Sequence, residues 1–132
     1  MKYEFIIHTE KRCCFVLVNN LLQEAIQKSG IQDGVCHVFV PHTTAAVTIN
    51  ENADPNVVRD ILMELDKIVP LQDHYSHSEG NSAAHIKSSI LGASAIVLVE
   101  KGQPILGTWQ SLYFCEFDGP RTRRLWIRIS PE

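Results

Sequence analysis

Apolar residues recur along this chain with two different periods, and the changes between them mark out its elements. Short β-branched and aromatic runs at residues 3–9 and 13–18, separated by Glu10-Lys11-Arg12, predict a β-hairpin. Leu21, Leu22, Ala25 and Ile26 then share one face of a helix, with Asn19 or Asn20 placed to cap it and Gly30 to stop it. The run Val35-Cys36-His37-Val38-Phe39-Val40 is apolar apart from His37 and predicts a strand buried on both faces. Pro41 cannot donate a ladder hydrogen bond, so it ends that strand and brings His42-Thr43-Thr44 out at the rim of a sheet.

A second strand, Ala45 to Asn50, delivers Glu51-Asn52-Ala53-Asp54 to another rim. Asp54-Pro55 is a helix start, with a carboxylate at the cap and proline at the first helical position. Val57, Val58, Ile61, Leu62, Leu65 and Ile68 follow at three and four spacing, and Pro70 lies just beyond. After the loop Leu71 to Asn81 comes a short helix capped by Asn81 or Ser82, in a phase that turns Ala83, Ile86 and Ile90 inward and puts His85 in its first turn. The final third reads as strands, ending with Thr122 to Ile129. There Arg123, Leu125, Ile127 and Ile129 share the apolar face, while Arg124, Trp126 and Arg128 share a solvated or intersubunit face.

Two or three helices, about seven strands and no βαβ alternation after the first third fit an α+β fold, a single domain over residues 1–132, with antiparallel sheets carrying helices on one side. Composition leaves this picture unchanged: hydrophobic residues are 45%, charged residues 20% and the formal charge is −3. An acidic balance argues against general nucleic-acid binding. No apolar run approaches the roughly 20 residues of a membrane span, and Glu4 interrupts the place of a signal sequence, so a cytoplasmic location is expected. Cys13, Cys14, Cys36 and Cys115 lack CxxC spacing and read as free thiols in apolar segments, with a redox or zinc site as the alternative.

The densest chemistry is the stretch from His77 to His85, which holds two imidazoles, Glu79, Asn81 and a flexible glycine. Its helix start at Asn81 favours an anion, because free N–H groups and the positive end of the helix dipole point there. His42, His77 and His85 all fall at element ends, where three imidazoles either hold a metal with an open position or serve as hydrogen-bonded pocket walls. Glu51 and Asp54 are carboxylates beside a metal or general bases, Asp54 also being a cap. Glu116 and Asp118 form a polar turn or orient a histidine or Arg121. Arg123 enters on the apolar face, and Arg121 shares its phase. An inward guanidinium there needs an anion. Trp109, next to Gln110, is a core filler or a wall for a planar ring. Common nucleotide cradles and the serine-hydrolase elbow are absent.

Five segments in order, Val40-Pro41-His42-Thr43-Thr44-Ala45-Ala46, Asn50-Glu51-Asn52-Ala53-Asp54-Pro55, His77 to His85, Gly107-Thr108-Trp109-Gln110 and Glu116-Phe117-Asp118-Gly119-Pro120-Arg121, resemble the YjbQ-like family, named secondary thiamine-phosphate synthase. Ser82 and Ser111 depart from the Ala and Gly expected there. The resemblance implies sandwiched antiparallel sheets and a homotrimer with polar sites near subunit boundaries. It makes His42, His77 and His85 metal and active-site histidines, holding a divalent ion such as zinc or magnesium. Around them it places Glu51, Asn52, Asp54, Glu79, Asn81, Glu116, Asp118, Arg121 and Arg123. The implied reaction joins a pyrimidine methyl diphosphate to a thiazole phosphate, with Trp109 and Gln110 near the substrate. Alternatives are a metal-dependent hydrolase or lyase acting on another small phosphorylated compound, and a non-catalytic trimeric module that binds a metal or metabolite.

Overall fold

The periodicities resolve into β1 (Lys2–His8), β2 (Cys14–Leu17), α1 (Asn19–Ser29), β3 (Gly34–Phe39), β4 (Ala45–Glu51), α2 (Pro55–Ile68), α3 (Ser82–Leu91), β5 (Ser94–Glu100), β6 (Gln103–Ile105), β7 (Gln110–Glu116) and β8 (Thr122–Pro131). The computed structural model describes residues 1–132. Two antiparallel sheets form, in strand order β1-β8-β3-β5-β6 and β2-β7-β4. The inward positions of the larger sheet, among them Cys36, Val38, Val97, Leu125 and Ile127, meet Leu22 and Ile26 of α1 and Val47, Leu112 and Phe114 of the smaller sheet. On its other face the smaller sheet packs Ala46, Tyr113 and Cys115 against Leu65 of α2 and Ala84 of α3. The result is an α+β fold in three layers, with β7 buried on both sides.

Several local signals act as the sequence indicates. Asp54 accepts a 2.9 Å bond from the Asn56 N–H at the start of α2, and Gly30 takes the left-handed conformation that ends α1. Arg123, Leu125, Ile127 and Ile129 point inward from β8. All four cysteines are free thiols. Burial pushes the Cys36 thiol up to about 12 and raises the Cys115 thiol as well.

Other expectations are corrected by tertiary packing. β1 and β2 do not pair as a hairpin; β1 pairs with β8 and β2 with β7, so the segment between them passes from one sheet to the other. That passage is held against the Gly119-Pro120 turn, where the Gly119 N–H donates to the Arg12 carbonyl. A Cβ on Gly119 would lie 2.2 Å from the Lys11 carbonyl oxygen, so the turn accepts only glycine. β3 buries one face, leaving His37 and Phe39 outward, because the outer side of the larger sheet carries no further layer. The Asn19 side chain does not cap α1. It accepts from the Leu112 N–H at 2.8 Å and ties the helix to β7.

The largest correction is the face of α3. Ala83, Ala84, Lys87 and Ser88 are buried, while Ile86 and Ile90 are exposed. This helix lies close against β4, and small residues permit that approach. Lys87 is 1% exposed and its ammonium pairs with Asp66 of α2, whose side chain remains half-exposed. The two ends are therefore unequal. Asp66→Ala would leave a buried ammonium unpaired and is expected to cost about 3 kcal/mol, whereas Lys87→Met leaves a carboxylate that water can reach and is expected to change stability by less than about 1 kcal/mol. Denaturant unfolding of both variants checks the asymmetry.

Candidate functional site

Where β3 gives way to Pro41, the larger sheet loses a strand and a cleft opens. Its cavity of about 550 Å³ is lined by Phe39, Val40, Pro41, His42, Thr43, Thr44, Glu79, Asn81, His85, Ala93, Asp118, Arg121 and Arg123. Chain ends from β3, α3, β7 and β8 thus converge on one space. Seven of the residues singled out in the sequence meet here: His42, Glu79, Asn81, His85, Asp118, Arg121 and Arg123.

Beneath the cavity lies a buried ion pair. Glu116 is 0% and Arg123 4% exposed. The Glu116 carboxylate accepts from Arg123 Nε at 2.8 Å and Nη2, from Thr9 Oγ1 at 2.8 Å and from the Asp118 N–H at 2.9 Å. Burial alone would push this carboxyl up, but the bonds from Arg123, Asp118 and Thr9 outweigh it and hold it below the ordinary 4.5. Glu116 is therefore an ionised anchor under the pocket. Arg123 Nη2 also donates to the Thr44 carbonyl and, at 2.8 Å, to Thr44 Oγ1, which fixes the wall that follows His42. With Nε and Nη2 so engaged, Nη1 is the guanidinium nitrogen left without a protein acceptor.

Asp118 Oδ2 accepts from both Arg121 Nη2, at 2.8 Å, and Asn81 Nδ2, at 2.9 Å. Because Asn81 is turned toward Asp118, it leaves the first turn of α3 without a side-chain cap, and its own Oδ1 is buried with no partner. The amide cannot be reversed without setting oxygen against a carboxylate. Donors and acceptors thus sit side by side: two guanidinium groups and an uncapped helix start for an anion, and Asn81 and Asp118 oxygens for N–H or O–H groups.

His42 is a hydrogen-bonded wall of the cavity, one of the two roles open to a histidine at that element end. With the β3–β8 ladder ended at Phe39 and Trp126, the Arg124 N–H donates to His42 Nε2 at 2.9 Å. Burial, and after it the Arg123 guanidinium, hold this imidazole below its ordinary 6.5 against the opposite pull of Glu116. Both groups then act in one direction. Each binds fewer protons folded than unfolded, so stability is lost as pH falls, first through the ordinary imidazole value and then through the carboxyl value. Thermal unfolding across pH is expected to show a wild-type decline that sets in as pH falls through the ordinary imidazole value of 6.5 and is smaller in His42→Asn, with the decline below the ordinary carboxyl value of 4.5 common to both.

His77 stands apart from the main cavity. Its ring meets His85 edge-on at 5.5 Å between centroids, and its Nε2 lies 3.9 Å from Glu79 Oε1. A smaller space of about 270 Å³ lies between Tyr75, Ser76, His77, Ser82, His85 and Ile86, so His85 borders both cavities. The set His42, His77 and His85 is not gathered around one point in this chain. His42 Nε2 already accepts a backbone bond, and no group of three or more His, Cys, Asp or Glu side chains is placed to hold an ion.

Glu51, Asn52, Asp54, Trp109 and Gln110 gather at the opposite end of the smaller sheet. The β4–β7 register pairs Ala45 with Glu116 at one end and Glu51 with Gln110 at the other, about 20 Å away at the rise of a strand. There Tyr113 Oη donates toward Asn52 Oδ1 at 2.9 Å, Glu51 accepts from the Asp54 N–H, Gln110 accepts from the Gly107 N–H, and Trp109 is 63% exposed. Thr9 is not indicated by the sequence, and Thr44 only as part of the His42-Thr43-Thr44 rim, without its bond to Arg123. Their partners lie 107 and 79 residues away, and a threonine beside a strand end carries no local sign of such a bond.

The family model described as UPF0047 protein YjbQ-like matches residues 3–132. UPF0047 protein MJ1081 of Methanocaldococcus jannaschii is 46% identical over 129 residues, which cover 98% of this chain and 94% of that protein. UPF0047 protein YugU of Bacillus subtilis is 49% identical over 93% of this chain and 94% of its own. The crystal structure of an uncharacterized conserved protein of the same family from Clostridium acetobutylicum superposes with a TM-score of 0.95 at 50% identity, covering 97% of this chain and 99% of that one.

Proposed function

The chain belongs to the YjbQ-like UPF0047 family, and from that membership and the geometry of the cleft we propose that it is a transferase of the thiamine-phosphate synthase type, binding small phosphorylated substrates in the His42–Arg121 cavity. The observation that carries this reading is the convergence of Arg121, the free edge of Arg123 and the uncapped start of α3 on one cavity that also offers the acceptors Asn81 and Asp118. A phosphorylated heterocycle has both kinds of partner.

In the proposed reaction the thiazole nitrogen attacks the methylene carbon of the pyrimidine methyl diphosphate. A carbon–nitrogen bond forms, the carbon–oxygen bond breaks, and its electron pair leaves with diphosphate. The protein's task is then to meet charge that grows on the departing oxygen, which guanidinium groups and oriented N–H donors do without reorganising. Arg121 lies at the open edge, with 52% of its side chain exposed, while Arg123 is immobilised below.

Assembly is part of the proposal. The outer face of the larger sheet leaves Ile6, Phe39, Ile96, Leu98 and Ile105 exposed around Trp126, an apolar area suited to contact between copies in a homotrimer. No helix is long and apolar enough to cross a membrane. The test mixes purified protein with pyrimidine methyl diphosphate and thiazole phosphate and follows diphosphate release and the coupled product. Turnover that is lost in Arg121→Ala supports the transferase reading. Tight binding of both substrates with no turnover contradicts it and favours a binding module.

A further inference from the structure

We propose that His42 is a neutral hydrogen-bond donor to the ligand's phosphate, locked in its Nδ1–H tautomer by the backbone of β8 and separate from any metal centre that uses His77 and His85. The inference rests on the cavity being the phosphate site and assigns one contact within it.

The lock follows from where β3 stops. Pro41 ends the strand, the Arg124 N–H loses its ladder acceptor, and His42 Nε2 supplies one at 2.9 Å. A backbone N–H can only donate, so Nε2 must present its lone pair, and a neutral ring then carries its proton on Nδ1. A metal at Nε2 would compete for that same lone pair. A metal at Nδ1 would displace the proton and require an imidazolate. Nδ1 has no partner inside the protein, and the ring lines the cavity beside Asn81, Asp118 and Arg121. What suits it is an anionic oxygen. A neutral donor also suits this position because it adds no third positive charge next to Arg121 and Arg123.

Long-range proton–nitrogen spectra of the full-length 15N-labelled protein read the tautomer directly, with His42→Asn assigning the signals. The expected spectrum has His42 as Nδ1–H; inorganic pyrophosphate moves Nδ1, and zinc leaves both His42 nitrogens in place. An Nε2–H form, or a zinc-coordination shift at His42, would overturn the proposal. If pyrophosphate moves the Asn81 and Asp118 amides but not His42 Nδ1, this inference fails while the cavity reading stands. If it moves none of them, the cavity reading fails, and the ligand contact with it. Affinity gives a second readout. His42→Asn keeps an N–H near Nδ1 and should hold pyrophosphate within about threefold of wild type, whereas His42→Leu should lose about fivefold to tenfold. Both variants give up the bond to Arg124, so equal losses in the two would also overturn the assignment.

Discussion

Replacing Glu116 with leucine is expected to lower the free energy of unfolding by about 3–5 kcal/mol, the largest effect of any single substitution at the site. The carboxylate is 0% exposed and accepts bonds from Arg123, Thr9 and the Asp118 N–H. Removing it takes the paired carboxylate away from the guanidinium of Arg123, itself 4% exposed, and leaves that charge only the uncharged Thr44 carbonyl and hydroxyl as acceptors. The pair matters through its unequal alternatives, because losing both charges is far less harmful than losing one. The double variant Glu116→Leu with Arg123→Met should therefore recover much of the loss, and chemical denaturation of the two singles and the double closes the cycle. A single-variant loss below about 1 kcal/mol would mean that Glu116 is not the anchor described.

Arg121→Ala is expected to weaken inorganic pyrophosphate binding by about 10-fold to 100-fold, the range set by a lost charge-assisted hydrogen bond of roughly 1.5–3 kcal/mol. The fold should hardly notice. Arg121 is half-exposed, and its partner Asp118 keeps the Asn81 bond. Thermal unfolding within about 0.5 kcal/mol of wild type would separate the binding loss from a structural one. Trp109→Ala supplies the contrast, because that side chain stands at the far end of the smaller sheet and should leave pyrophosphate affinity unchanged. Calorimetric titration measures all three proteins.

Some of the cleft was legible because its causes are local. Pro41 announces that β3 must stop and that His42 emerges at a rim; the alternation in β8 turns Arg123 inward; Asp54-Pro55 starts α2. The inward arginine needs an anion, and Glu116 at the end of β7 supplies it. What was not legible depends on distant partners. Spacing could not tell that β1 joins β8 instead of β2, nor that α3 would bury Lys87 and expose Ile86, because those outcomes are decided by Asp66 and by the closeness of β4. The strand from Ala45 to Asn50 already sets the His42 rim and the Glu51-to-Asp54 rim at its two ends; what spacing leaves open is which distant residues join each rim, and the β4–β7 register places Glu116 beside Ala45 and Gln110 beside Glu51. The bond that His42 accepts is hidden for a similar reason, since the Arg124 N–H that meets its Nε2 lies 82 residues away.

The most direct test of the cleft as a phosphate site is a crystal structure of the protein with inorganic pyrophosphate. Density for the anion is expected between His42, Arg121 and the first turn of α3, with one oxygen within hydrogen-bond distance of Arg121 and another facing His42 Nδ1. Density instead at the Glu51–Trp109 rim, or between His77 and Glu79 with the His42 cavity empty, would contradict it.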